Sequence, residues 1–173
     1  MAIQNLWAPW RMAYLRQLES QEEDAQGSST TAPSNFLRSA WDDEANAAAH
    51  HVVFRNEHGL ILLNRYPYAN GHVLVALADP RPTLMDYTPQ QRAQLWQLVD
   101  VAVDLVERAF HPQGVNVGFN QGRAAGAGLP EHLHVHVVAR WGGDTNFMAT
   151  VGAIRVVPDS LENSWKTLRA VVR

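Results

Sequence analysis

Residues 132–138 read His132-Leu133-His134-Val135-His136-Val137-Val138, polar and apolar in alternation until the final pair. Side chains of an extended chain alternate between two faces, so the three histidines share one face while Leu133, Val135 and Val137 point into a core. The pattern predicts a strand from His132 to Arg140, buried on one side and chemically equipped on the other. Just upstream, Gly122-Arg123-Ala124-Ala125-Gly126-Ala127-Gly128 is a small-residue loop whose backbone N–H groups can approach an anion.

Outward from this stretch, Val115 to Asn120 forms a second strand candidate. Three more precede it: His51-Val52-Val53-Phe54-Arg55, Leu60-Ile61-Leu62-Leu63-Asn64 and His72-Val73-Leu74-Val75-Ala76-Leu77. Their short Asn- and Gly-bearing connections favour antiparallel hairpins. The clearest helix opens at Thr88-Pro89, with Thr at the cap and Pro at the first position, and ends near His111-Pro112-Gln113-Gly114. Leu95, Leu98, Val99, Ala102, Leu105, Val106 and Ala109 fall on one face of it. Ser34 is expected to cap a short helix from Phe36 to about Ala49, with Asp42, Asp43 and Glu44 toward solvent. Pro158-Asp159-Ser160 is expected to start a last helix through about Leu168. The expected class is α+β, a mainly antiparallel five-stranded sheet with a long helix and flanking helices. Residues 1–33 read as an N-terminal arm, apolar over Leu6 to Leu15, with a polar small-residue linker after it; residues 34–173 read as one domain including the C-terminal helix.

Composition narrows the chemistry. The 173 residues suit one domain, and 46% hydrophobic against 18% charged residues suits a packed core. Net charge is −3, which argues against a nucleic-acid coat or a polybasic membrane binder. Apolar runs such as Val73 to Ala78 fall far short of the ~20 residues of a membrane span, and no signal peptide is visible at Met1 to Trp10. The expected compartment is the cytoplasm. There is no cysteine, so thiolate nucleophiles, disulfides and Cys-ligated metals are excluded. Thirteen of the fourteen basic residues are Arg, the single Lys is Lys166, and no P-loop is present.

For the histidine row two chemistries compete. Histidines at i and i+2 also suit a metal, with His72, Asp79 or Asp144 as a third ligand. A small-residue loop followed by three imidazoles on one strand face suits phosphate chemistry instead.

The sequence His132-Leu133-His134-Val135-His136-Val137-Val138 resembles the signature of the histidine triad (HIT) superfamily of nucleotide hydrolases and transferases. Leu62-Leu63-Asn64-Arg65-Tyr66-Pro67-Tyr68-Ala69-Asn70-Gly71-His72 is similar to the family's first hairpin. Leu6-Trp7-Ala8-Pro9-Trp10-Arg11 and Arg140-Trp141-Gly142-Gly143-Asp144-Thr145-Asn146-Phe147-Met148 resemble the bacterial branch of diadenosine tetraphosphate phosphorylases and ATP adenylyltransferases. The resemblance implies that His134 attacks the α-phosphorus of a nucleotide to form a nucleotidyl-histidine, flanked by His132 and His136. It implies phosphate contacts from Asn120, Gly126, Ala127 and Gly128, a ribose contact from Asn64, and substrate contacts from Arg140 and Trp141. His72 is expected either to be structural, tying the hairpin to the triad strand, or to take part in the site, and Arg65, Arg123 and Arg140 to attract polyphosphate or to be ordinary ion-paired arginines. Phosphorolysis is favoured over hydrolysis, with a nucleoside phosphoramidate hydrolase or a nucleotide-binding module of little turnover as alternatives. The implied partners are a small-molecule nucleotide and a second copy of the chain, with the long helix and sheet edge at the dimer interface, and neither nucleic acid nor membrane.

The resemblance implies no required metal or other cofactor, with Mg²⁺ only a companion of the substrate phosphates. Many relatives carry a zinc site built on C-x-x-C, completed by a ligand after the first hairpin and by the first triad histidine. Here Ser34, Leu37 and Pro80 stand at the matching positions, so the site is expected to be lost. His132 must then find another partner, and the local fold rests on apolar packing by Phe36, Leu37 and Trp41.

Overall fold

The computed structural model describes residues 35–144 and 159–173, which belong to one compact unit. The arm, the linker, Ser34 and the stretch from Thr145 to Pro158, with Phe147 and Met148, lie outside the described residues. Five strands run in the chain order β1 (Val52–Arg55), β2 (Gly59–Leu63), β3 (Val73–Leu77), β4 (Gly114–Phe119) and β5 (Val135–Arg140). They form one antiparallel sheet with spatial order β1-β2-β3-β5-β4. The helices are α1 (Phe36–Asp42), α2 (Pro89–Phe110) and α3 (Leu161–Ala170).

Helix α2 forms as its sequence predicts. Gln91 N–H donates to Thr88 Oγ1 and Thr88 N–H to Gln91 Oε1, a reciprocal box that satisfies two end donors. The helix ends at His111, which adopts a left-handed conformation. Leu95, Leu98, Val99, Ala102, Leu105 and Val106 are buried against one sheet face, on Val53, Ile61, Leu63, Val73, Val75, Val135, Val137 and Ala139. The apolar stripe of α2 is therefore spent inside its own core. Helix α3 joins this layer through Leu168, and donates from Trp165 Nε1 to Val52 O and from Arg169 to Val53 O.

The opposite sheet face carries a smaller core of Val52, Leu60, Leu62, Leu74 and Ala76, closed by Leu37, Ala40 and Leu129. Here α1 is shorter than the expected Phe36-to-Ala49 helix. It stops at Asp42 and gives way to a single 3-10 turn at Glu44–Asn46. Asn35, not Ser34, is its cap, accepting from Arg38 N–H at 2.9 Å. Of the three side chains expected to hold α1, Leu37 is buried, whereas Phe36 is 43% exposed. Trp41 is half-buried beneath the Arg55 guanidinium, which lies 5.0 Å from the ring centroid and donates to Trp41 O and Ala40 O. The helix end is thus closed by a cation as well as by apolar packing.

Gly71 closes the turn between β2 and β3 at φ +70°, and a Cβ there would overlap the Phe110 ring. Both constraints act on the residue before His72. Gly71→Ala is expected to cost about 2 kcal/mol, read as a lower urea midpoint.

Candidate active site

Strand β5 is shorter than the histidine row. Regular pairing starts at Val135, so His132 and His134 sit on the approach to the strand and only His136 lies within it. The expected His132-to-Arg140 strand is corrected accordingly. The reason is local: Leu133 N–H donates to Arg81 O at 2.8 Å rather than to a neighbouring strand. His136 is registered between Leu74 of β3 and Gly118 of β4. A Cβ at Gly118 would meet nothing within 4 Å, so the space beside it is open.

The three imidazoles are placed differently. His132 is 1% exposed, with Nε2 2.8 Å from Leu77 O and Nδ1 3.1 Å from Asn35 Oδ1. His134 is 7% exposed, and its Nδ1 donates to His132 O at 2.8 Å. That bond places the Nδ1 proton on the backbone side and leaves Nε2 with its lone pair. The His134 and His136 ring centroids are 5.1 Å apart.

His72 makes the cluster a tetrad. Tyr68 N–H donates to His72 Nδ1 at 3.0 Å, so the proton of the neutral His72 ring is on Nε2, 3.0 Å from His136 Nδ1. His72 Nε2–H therefore donates to His136 Nδ1, and the proton of neutral His136 falls on Nε2. Two separate sets of contacts therefore fix a bare Nε2 on His134 and a protonated Nε2 on His136. His72 is fully buried, and the Tyr68 ring stacks along His136 at 6.0 Å.

Burial sets the electrostatics. It pushes the pKa values of His132 and His134 below the ordinary histidine value, partly opposed by the carbonyls that their N–H groups meet. His136 is pushed down to about 4 by burial and then by positive charge on His134.

The other expected site residues divide. Asn64 follows β2 with its amide nitrogen 3.4 Å from His72 Nδ1, and its Oδ1 accepts from Tyr66 N–H. Asn120 follows β4 and reaches Gly126 O at 3.4 Å. The N–H groups of Gly126 and Ala127 close turns onto Arg123 O and Gly122 O, so both amides serve the loop itself. Gly128 is exposed in the same loop. Arg140 and Trp141 are not brought to the histidines within this chain. Arg140 stands four residues past His136, about 13 Å along the strand, and its guanidinium holds both Asp144 oxygens and Asn116 Oδ1. Trp141 packs at the edge of the α2 core. Asn35, which the sequence signals as a helix-cap type, and the carbonyls of Leu77 and Arg81, which it does not signal, are the additions that the fold makes.

The donor set of the relatives' zinc site does not fit here. Leu37 is a buried hydrocarbon, Pro80 has no donor side chain, and both His132 nitrogens face oxygens of Leu77 and Asn35. No group of three His, Cys, Asp or Glu suited to a metal occurs among the described residues.

The site is thus a row of buried imidazoles beside an open strand face on an antiparallel α+β sheet. The HIT domain profile matches residues 45–143, and the chain belongs to the HIT family, among its nucleotidyltransferases and hydrolases. It is 36% identical over 166 residues to the AP-4-A phosphorylase of Mycobacterium tuberculosis, covering 96% of this chain and 83% of that one. It is 33% identical to the asymmetrical bis(5'-nucleosyl)-tetraphosphatase of Schizosaccharomyces pombe, over 51% of this chain and 48% of that one. A histidine triad nucleotide-binding protein of Sulfolobus tokodaii superposes with a TM-score of 0.59 at 25% identity, covering 69% and 81% of the two chains.

Because folded His136 binds its proton only near pH 4 and an unfolded histidine near 6.5, the unfolded state binds more protons between those values. Stability is expected to fall as pH drops from 6.5 to 4.5, by on the order of 2 kcal/mol from His136. Urea midpoints across that range test it, and His136→Gln should reduce the dependence, leaving the part that His132 and His134 contribute.

Proposed function

We propose that the chain cleaves a dinucleoside polyphosphate, diadenosine tetraphosphate in the first instance, at an α-phosphorus through His134. The observation that carries this is the His134 ring itself: Nδ1 bound to His132 O at 2.8 Å, Nε2 left as a lone pair beside His136. In the first step Nε2 bonds to the α-phosphorus, and the bond from phosphorus to the bridging oxygen breaks. The leaving polyphosphate takes its electron pair with it, and the His136 Nε2–H is the nearest donor that the hydrogen-bond network orients. The nucleotidyl-imidazolium still holds its Nδ1 proton on His132 O. In the second step an acceptor oxygen attacks phosphorus and the N–P bond breaks, restoring neutral His134.

Phosphate as acceptor yields ADP and ATP, and water yields AMP and ATP. Phosphate is favoured by the 36% identity to a protein named AP-4-A phosphorylase over nearly the whole chain. His136 flanks the reacting phosphorus while His132 stands behind His134 with both nitrogens engaged, Asn120 and Gly128 face the phosphate oxygens, and Asn64 faces the ribose. Any Mg²⁺ arrives with the substrate. The compartment is the cytoplasm and the partner a small nucleotide rather than nucleic acid or membrane; no described helix is long and apolar enough to cross a bilayer.

A homodimer is part of the same proposal, with a changed interface. The apolar stripe of α2 is already buried, whereas β4 is an edge strand with Val117 42% exposed, so the sheet edge is the surface to pair.

Product analysis on diadenosine tetraphosphate, with and without inorganic phosphate, tests the reading. ADP plus ATP appearing only with phosphate is expected. AMP plus ATP would make the enzyme a hydrolase, and binding without turnover or adduct would make it a module. His134→Ala is expected to lower kcat by about 10³-fold or more and to abolish adenylate labelling of the protein.

A further inference from the structure

The peptide between His132 and Leu133 holds the His134 ring: its carbonyl accepts from His134 Nδ1 at 2.8 Å and its N–H donates to Arg81 O at 2.8 Å. The peptide is a rigid plane, so its direction sets the direction of the bond that it accepts. The His132 side chain anchors the same residue from the other side. Its ring is buried between two oxygens, Leu77 O at 2.8 Å and Asn35 Oδ1 at 3.1 Å.

Asn35 is not interchangeable with any helix cap. Its Oδ1 accepts from Arg38 N–H at 2.9 Å, which fixes the amide with oxygen toward both Arg38 and His132. One oxygen therefore starts α1 and meets a triad imidazole 97 residues later in the chain. A serine caps a helix equally well but is one atom shorter and does not span to His132.

We propose that Asn35 is a positioning residue for the reaction at His134: its amide oxygen accepts a hydrogen bond from His132 Nδ1–H, anchors that ring against Leu77 O, and so aims the carbonyl that holds the nucleophile. Both His132 nitrogens face oxygens, so the ring donates to each when it is protonated, a form that burial opposes and the oxygens favour. The Asn35 contact also places the start of α1 in mechanical series with the reacting ring. The proposal rests on His134 being the nucleophile.

Asn35→Ser separates the helix cap from the imidazole contact, and Asn35→Asp restores both acceptor functions. Nitrogen-15 NMR of the substrate-free protein reads the rings without reference to turnover. In the wild type a His132 Nδ1–H signal is expected. In Asn35→Ser that signal is lost and the His134 Nδ1–H signal shifts or broadens, while the thermal midpoint stays near the wild-type value. With diadenosine tetraphosphate as probe, kcat should fall roughly 10- to 100-fold with KM little changed, and Asn35→Asp should recover most of it. A wild-type His132 with a bare Nδ1, or an Asn35→Ser protein with unchanged His134 resonances and kcat, overturns the proposal. So does a loss of kcat in Asn35→Ser that Asn35→Asp does not recover. If wild-type protein shows neither turnover nor adduct, the reading of His134 as nucleophile fails instead, and the resonances still report the contact.

Discussion

One hydrogen bond, His134 Nδ1–H to His132 O, couples the backbone of the sheet to the chemistry of its histidine row. It decides which nitrogen of His134 carries a proton and points the other away from the backbone. Everything around it keeps that carbonyl still. Arg81 O takes the N–H of the same peptide unit, so the two bonds polarise one another through a single amide. Leu77 O and Asn35 Oδ1 hold the His132 ring, and the alternation from Val135 onward locks the following strand into the α2 core. The nitrogen proposed to attack phosphorus is aimed by main-chain geometry, which thermal motion displaces less than a side chain.

The second imidazole relay works by the same logic with a different outcome. Tyr68 N–H fixes His72, and His72 fixes His136, so the backbone again decides a tautomer two bonds away. The results are opposite: a lone pair on His134 and a proton on His136, in rings of the same type 5.1 Å apart. Burial keeps the pair neutral together, because a proton on either raises the cost of a proton on the other.

Much of this was legible in sequence, and the limits were physical. The alternation at 132–138 located the imidazole row and its buried side, and the Thr88-Pro89 cap located α2, because both depend on neighbours within a few residues. The length of β5 was not legible: His132 to His134 have strand-like alternation, but Leu133 finds Arg81 O instead of a strand partner. Arg140 looked like a phosphate ligand because it follows the motif, yet Asp144 four residues on takes its guanidinium. Ser34 and Asn35 are both good cap types, and only the three-dimensional path shows that the amide, reaching further, serves two elements at once. Backbone acceptors such as Leu77 O carry no sequence signal at all.

The withdrawal of Arg140 bears on how such a site would treat a polyanion. A fixed guanidinium over the phosphates binds substrate and transition state alike, which lowers KM without speeding the chemical step. Burial disfavours the charged forms of His134 and His136 in the free protein, so these two rings attract the ground state weakly. Charge appears only when the His134 nitrogen bonds to phosphorus, and it appears on a ring whose Nδ1–H already meets the His132 carbonyl dipole at 2.8 Å. That interaction strengthens as the bond forms. In the proposed route, then, the same hydrogen bond that selects the tautomer in the resting protein is the one whose energy grows toward the transition state, and its geometry need not change to do both.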